Sequence, residues 1–438
     1  MTRALLFLAS AIALGGRAAE AQDTIHVEQM QEAALRSDPR VSQRGLLKSA
    51  ADLRIAAINS DQLPQLEING SASYQSDITE PALGQGIILP NLPKHHWQTT
   101  LDIKQRLYDG GAVTRRRELE EARHFESQAG VDVSLYGLRS EVNSAFYSAF
   151  LLDKQSAEYD ALVEDLDARL SVVRARVEAG TALGRDAAEI EAERVRAVIQ
   201  RNEALASRRA SLAILGDLVG QRIDTAAVLV LPSEAPEQTH PADLAAVAAL
   251  RLRPEYDHYR WSRFRLDREA AYATVENKPR LYAFGQAGLG LPGLDQFRLS
   301  SDAFFQVGVK LEWRPWTWRS AQRKAAAFRL EQDVLATEEQ ALGRRLARAV
   351  AANLEEIDRL KTAIADDERV VALQTEVERQ ARAQYDEGAI TTADYVETRT
   401  DVLEARLTLE RHRVELAQAR SSYLTTLGLT PRTASERP

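Results

Sequence analysis

Residues 303–313 read Ala-Phe-Phe-Gln-Val-Gly-Val-Lys-Leu-Glu-Trp. Ala303, Phe305, Val307, Val309, Leu311 and Trp313 fall on one side, and Gln306, Lys310 and Glu312 on the other. That is the period-two pattern of a strand with one apolar face. A few residues later the period changes. Arg319 to Glu387 runs without proline, long enough for a helix of roughly 100 Å at 1.5 Å per residue. Gly388-Ala-Ile-Thr-Thr392 makes a turn, and a second helical stretch returns to about Gly428. A strand followed by a very long helical hairpin is an unusual pairing, and it sets the class: mainly α, with a strand portion that the helices cannot cover.

The same arrangement occurs earlier in the chain. Shifted by 215 residues, Ala33, Ala34, Leu35, Arg36 and Pro39 fall on Ala248, Ala249, Leu250, Arg251 and Pro254, and Asp52, Ala56, Pro64, Leu66 and Gly70 fall on Asp267, Ala271, Pro279, Leu281 and Gly285. Beyond that the offset is 208, and Gly180, Asp186, Ala197 and Gly220 fall on Gly388, Asp394, Ala405 and Gly428. Constant offsets over such lengths mean duplication of a whole unit. The change of offset lies within the first strand–loop–strand unit, so the second unit has the shorter loop. Three further segments alternate: 65–75, 97–107 and, more weakly, 281–289, where Tyr282 and Phe284 blur the contrast. Each repeat thus carries two strands and one long hairpin, the first hairpin running from Ala112 to Ala179, through Gly180-Thr-Ala-Leu-Gly184, and back to Gly220.

Composition narrows the class. The 438 residues contain 6% aromatics and no cysteine, and the formal net charge is −8. Disulfides, thiolate nucleophiles and cysteine-held metals are excluded, and an acidic chain is a poor nucleic-acid binder. Arg3 precedes an apolar run from Ala4 to Leu14, and Ala19-Glu20-Ala21 is a cleavage-site pattern. Cleavage after Ala21 removes Arg3, Arg17 and Glu20, which takes a net +1 from −8 and leaves −9. The sequence contains no phosphate loop, HExxH or GxSxG element. No enzyme activity, cofactor or metal is expected, and His95-His96 reads as an exposed loop pair.

The strands suit either of two settings. Each has about the length of a tilted membrane strand, roughly 9–11 residues, but a half-buried soluble sheet alternates in the same way. The secretion signal and the flanking Trp97, Trp313, Trp316 and Trp318 favour the membrane, because aromatics at strand ends suit the headgroup region. Four strands cannot close a barrel, and an open edge in lipid costs several kcal/mol per unpaired group. Membrane insertion therefore requires two chains with eight strands or three with twelve. In the helices, Leu162, Leu166, Leu170, Val173 and Val177, and Val396, Leu403, Leu407 and Val414, recur at coiled-coil spacing. The divisions expected are a signal peptide at 1–21, a first repeat at 22–220 (strands about 65–75 and 97–107, hairpin about 112–220), a connector at 221–241, a second repeat at 242–429 (strands about 281–289 and 303–313, hairpin about 319–428) and a disordered tail at 430–438.

This organisation resembles the TolC family of bacterial outer-membrane efflux proteins. The segments that carry the resemblance are Leu107-Tyr-Asp-Gly-Gly111, Tyr385-Asp-Glu-Gly-Ala-Ile-Thr-Thr-Ala-Asp394 with Val402-Leu-Glu-Ala405, and Tyr423-Leu-Thr-Thr-Leu-Gly428. The second junction, Arg314-Pro-Trp-Thr-Trp-Arg319, departs by losing both glycines. The resemblance implies a homotrimer in the outer membrane of a Gram-negative bacterium. Twelve strands would form a β-barrel in the lipid, continued into the periplasm by an α-helical barrel. It further implies an exit duct for a tripartite system, docked to a periplasmic adaptor (membrane fusion) protein and an inner-membrane pump. Carried over by position, Tyr385, Asp394, Glu397 and Asp186 would form the gate, with acids crowded on the axis at raised pKa. Gly180, Thr181, Gly388 and Ala389 would be the adaptor-docking tips. Ile390 stands where the family places a basic latch. The competing reading is a periplasmic coiled-coil scaffold or adaptor.

Overall fold

The computed structural model describes residues 24–77, 94–232, 252–294 and 300–429. The expected signal peptide and tail lie outside them. The elements in chain order are β1 (Thr24–His26), α1 (Val27–Ser37), α2 (Arg40–Ser60), β2 (Gln65–Tyr74), β3 (His95–Tyr108), α3 (Ala112–Tyr136), α4 (Leu138–Glu178), α5 (Gly184–Val219), β4 (Val228–Val230), α6 (Pro254–Thr274), β5 (Arg280–Leu291), β6 (Asp302–Glu312), α7 (Ser320–Asp386) and α8 (Thr392–Thr426). The duplication is visible directly. Helix α2, strands β2–β3 and helices α3–α5 correspond to helix α6, strands β5–β6 and helices α7–α8. The connection after β2 spans residues 75–94 and that after β5 only 292–301, so the second loop is the shorter one.

The four long strands form one antiparallel sheet in the order β2-β3-β5-β6. Its register aligns the alternating residues into ladders: Leu66 with Ile103, Ile103 with Gly285, and Gly285 with Val307; likewise Ile68 with Leu101, Leu101 with Ala287, and Ala287 with Phe305. One face of the sheet is therefore continuously apolar. It is also open, with Ile68 76%, Phe305 76% and Val307 75% exposed. The opposite face carries Glu67, Asp102, Gln286 and Gln306 in line. Tyr282 and Phe284 belong to this polar face. The Lys104 ammonium lies 4.2 Å from the Tyr282 ring centre. Phe284 covers Gly308, where a Cβ would come 2.8 Å from the ring. Phe284 fills the gap left by Gly308 and Tyr282 lies against cationic side chains, so two aromatics stand on the polar face and alternation in β5 is hard to see in sequence.

The first long helix differs from expectation. The stretch from Ala112 to Ala179 is not one helix but two, divided at Gly137, whereas α7 is unbroken over 67 residues. Gly137 keeps helical dihedrals (φ −58, ψ −29), and Ser140 N–H bonds to its carbonyl in a tighter turn. At this level the chain passes from one set of partners to another. Helix α3 packs against α2 and α6, and α4 against α5 and α8. The Tyr136 ring at the division lies between the Arg139 and Arg253 guanidinium groups, at 4.9 and 4.8 Å, and its hydroxyl donates to the Thr425 carbonyl.

Around the same level, β1 and β4 pair in parallel, and with α1 they cover a core that includes Val27, Phe146, Tyr147, Leu212 and Leu215. The described part of the expected connector, residues 221–232, is thus built into the structure. Arg208 fastens it by donating to the carbonyls of Thr225 and Ala227. The remainder of the connector lies outside the described residues.

Candidate gate and docking tip

The two hairpin turns are built alike. Helix α4 ends where Gly180 takes φ +73; Gly180 N–H bonds to Val177 O at 3.0 Å, and Thr181 N–H to Arg176 O at 2.8 Å. Helix α7 ends where Gly388 takes φ +75, with Gly388 N–H to Tyr385 O at 3.0 Å and Ala389 N–H to Gln384 O at 2.8 Å. This paired bonding is the helix end that needs a left-handed residue, which glycine supplies without Cβ strain. A Cβ at either glycine would meet nothing within 4 Å. The constraint there is φ alone, and the tip surfaces are free. Gly180, Thr181, Gly388 and Ala389 are all exposed.

The acids just beyond the turns have a local task. The Asp186 carboxylate accepts the Leu183 N–H at 3.1 Å. The Asp394 carboxylate accepts both the Thr391 N–H, at 3.0 Å, and the Thr391 hydroxyl, at 2.7 Å. Asp394 N–H in turn donates to that hydroxyl oxygen at 3.2 Å, completing a reciprocal cap. In the single chain these bonds hold Asp394 below the usual carboxylate range, the Thr391 hydroxyl first and its amide second. This is the opposite direction from that expected of acids crowded on an axis. Glu397, one turn on, is exposed and makes no hydrogen bond or ion pair among the described residues.

A polar cluster lies behind the second turn. The Tyr385 ring stacks on Tyr395 at 5.1 Å, and its hydroxyl is 3.4 Å from the Thr392 hydroxyl. Tyr395 is fully buried. Its hydroxyl donates to Glu378 Oε1 at 3.3 Å, and the Arg169 guanidinium lies 4.0 Å from its ring centre. Burial pushes the Tyr395 hydroxyl far above its ordinary pKa. Asp165 Oδ2 receives Arg169 at 3.4 Å and Arg399 at 3.2 Å, and Arg399 also approaches Glu378 at 3.9 Å. The cluster thus links α4 (Asp165, Arg169), α7 (Glu378, Tyr385) and α8 (Thr392, Tyr395, Arg399). Beneath it lies the expected apolar seam, Leu162, Leu166, Leu170, Val173 and Leu403.

Of the residues expected at the gate, only Tyr385 enters this cluster. Asp186 and Asp394 cap their helices, and Glu397 faces out. Ile390 is half-buried, while Arg169 and Arg399 supply the cations. Sequence reading missed Tyr395, Arg169, Asp165, Arg399 and Glu378. A local signal existed: Asp165–Arg169 and Tyr395–Arg399 are each four apart, one helical turn, beside the apolar seam.

Residues 30–221 match the family model described as "Outer membrane efflux protein". No curated protein matches the chain in sequence. Among solved structures, CusC, described in terms of folding and transmembrane channel formation, aligns with a TM-score of 0.69 at 16% identity, covering 92% of each chain. The outer membrane protein VceC of Vibrio cholerae aligns with a TM-score of 0.66 at 15% identity, covering 93% of this chain and 97% of its own. The outer membrane channel MtrE of Neisseria gonorrhoeae, in its open state, gives 0.64 at 16% identity, covering 94% and 91%.

Proposed function

We propose that this chain is an outer membrane efflux protein of the TolC family, three copies of which form a passive exit duct through the outer membrane and into the periplasm. One observation carries this reading: a four-stranded sheet whose apolar face is largely exposed and whose outer strands, β2 and β6, each pair with a single strand among the described residues. In water such a face is an aggregation hazard. In lipid it is the right surface, provided the edges pair. Three chains supply twelve strands, and β6 of one chain pairs with β2 of the next.

The duplication supports the same arrangement in the helices. Within the chain, α6 packs between α3 and α7. Its counterpart α2 packs on α3 but leaves Leu46 (67%) and Leu53 (72%) exposed, as α7 leaves Leu330 (66%). Helix α2 of one chain against α7 of its neighbour would repeat the α6–α3 contact and cover all three. A periplasmic scaffold would leave the sheet's apolar face unexplained.

The finer assignments rest on the same reading. The exposed turns around Gly180 and Gly388 dock a periplasmic adaptor, which joins the duct to an inner-membrane pump. The Tyr385–Tyr395 cluster ties the tip hairpins together in the closed state, and Asp186, Asp394 and Glu397, gathered threefold, form a cation-binding entrance. Planar-bilayer recording tests the set. Purified trimer should give discrete channels blocked by divalent cations, and the block should weaken in Asp394→Asn with Glu397→Gln. Equal block in that variant would assign closure to other groups, and absence of any conductance would refute the duct.

A further inference from the structure

The segment that follows β6 is chemically unlike its counterpart in the first repeat. Trp313, Trp316 and Trp318 are 57%, 74% and 77% exposed, and Trp316 and Trp318 meet edge to face at 5.7 Å. Among them stand Arg314, Arg319 and Arg323, all exposed. None of the three arginines makes a side-chain hydrogen bond or ion pair among the described residues. In the first repeat the counterpart of Arg323, Arg115, is paired with Glu118, Gly111 stands in the place of Arg319, and Arg106, the counterpart of Arg314, lies over the Tyr282 ring at 6.0 Å. The acid beside the tryptophans, Glu312, is already engaged by Lys310 at 2.9 Å, and Lys324 is engaged by Glu276 at 2.8 Å.

The place of this patch indicates what covers it. The apolar face of β6 ends at Leu311, 63% exposed, two residues before Trp313. In a sheet that spans lipid, that is the depth of the headgroups on the side from which α7 departs. Indole rings partition to that depth, and guanidinium groups bind phosphate bidentately. We propose that residues 313–323 form a binding surface for anionic phospholipid headgroups of the leaflet facing the periplasm, with the indoles in the interface and Arg314, Arg319 and Arg323 on phosphate. Each chain carries the patch once, so a trimer carries three. The inference rests on the membrane reading of the sheet and adds headgroup selection to it.

The test uses the full trimer in bilayers containing equal phosphatidylglycerol and phosphatidylethanolamine, released into the gas phase for native mass spectrometry. Retained lipid should be enriched in phosphatidylglycerol. A basic residue near an anionic surface is worth roughly fivefold in partition, so Arg314→Gln, Arg319→Gln and Arg323→Gln together should bring retention close to the bulk ratio. The control Arg115→Gln with Arg117→Gln should keep the enrichment. Unchanged enrichment in the triple variant, or equal loss in the control, overturns the proposal. Trimers that fall apart in the triple variant also overturn it, since the arginines would then be subunit contacts. Recovery of wild-type protein outside the bilayer fraction would instead defeat the membrane reading, a result distinguishable from the others.

Discussion

The two strand-to-helix junctions share a backbone and differ in chemistry. At the first, Gly110 and Gly111 take φ +70 and +87, and the Asp109 carboxylate accepts the N–H groups of Gly111 and Val113, both at 2.7 Å. At the second, Trp318 and Arg319 take φ 53 and 61. Thr317, in the place of Asp109, turns its hydroxyl to Asn277 Oδ1 at 3.0 Å. The path from strand into helix demands two left-handed residues in both repeats. The first meets the demand with residues suited to it, and the second tolerates about 1–2 kcal/mol per residue of steric cost. Topology fixes the backbone, and composition is then free to serve the surface.

The contrast breaks most visibly if the second junction's residue is moved into the first. At Gly110 a Cβ would lie 2.5 Å from the Lys278 Cβ, whereas the Trp318 side chain stands in the open. Gly110→Trp should cost more than about 3 kcal/mol from overlap and left-handed strain together. No heat-modifiable folded trimer should then reach the membrane fraction, and normal assembly would show that the close packing at Lys278 is dispensable.

Next in size is the cap. Asp109→Ala removes both carboxylate bonds at the first junction and should lower stability by roughly 1–2 kcal/mol. Thr317→Ala, which loses one bond to Asn277, should cost under about 1 kcal/mol. Thermal unfolding of the two variants side by side measures the asymmetry, and equal losses would mean that the Asp109 cap adds nothing. Smaller again, Arg319→Gly should raise stability by roughly 0.5–1 kcal/mol, the relief of strain less the entropy glycine adds to the unfolded chain. A decrease in melting temperature would show that Arg319 makes contacts worth more than its strain.

The smallest effect lies at the tips, where the two repeats differ again. Asp394 has a lowered pKa because it accepts from Thr391. A lowered carboxylate stabilises fully above its unfolded-state pKa, and that contribution fades as pH falls through the lower folded value. Amide protection at Thr391 and Asp394, taken relative to the intrinsic exchange rate at each pH, should therefore fall on acidification below about pH 4, and Asp394→Asn should remove that loss. A protection factor at these amides that stays constant through this range in the wild-type protein would show the cap to be absent.

The architecture was largely legible because duplication and period are global signals. The alternation in 303–313, the proline-free stretches and the Gly180 and Gly388 turns each recur, so every reading had an internal check. Three features were hidden. The division at Gly137 follows from a change of packing partners, which no local pattern records. The polar cluster was hidden because Asp165, Arg169, Glu378 and Tyr395 come from three helices, and each alone reads as a solvated charge or a core aromatic. Asp186 and Asp394 show the converse, since repeat equivalence marked them as special but the shared feature is a helix cap. The second junction kept its geometry after losing its glycines, and residue types alone could not reveal that.

The central claim is that the open sheet closes by association of three chains in lipid. Determining the mass of the complex extracted from membranes in mild detergent tests it most directly. The account predicts a single species of three chains, holding its β-structure until heated. A stable, folded single chain in detergent, or folded protein that needs no detergent to stay in solution, would contradict it.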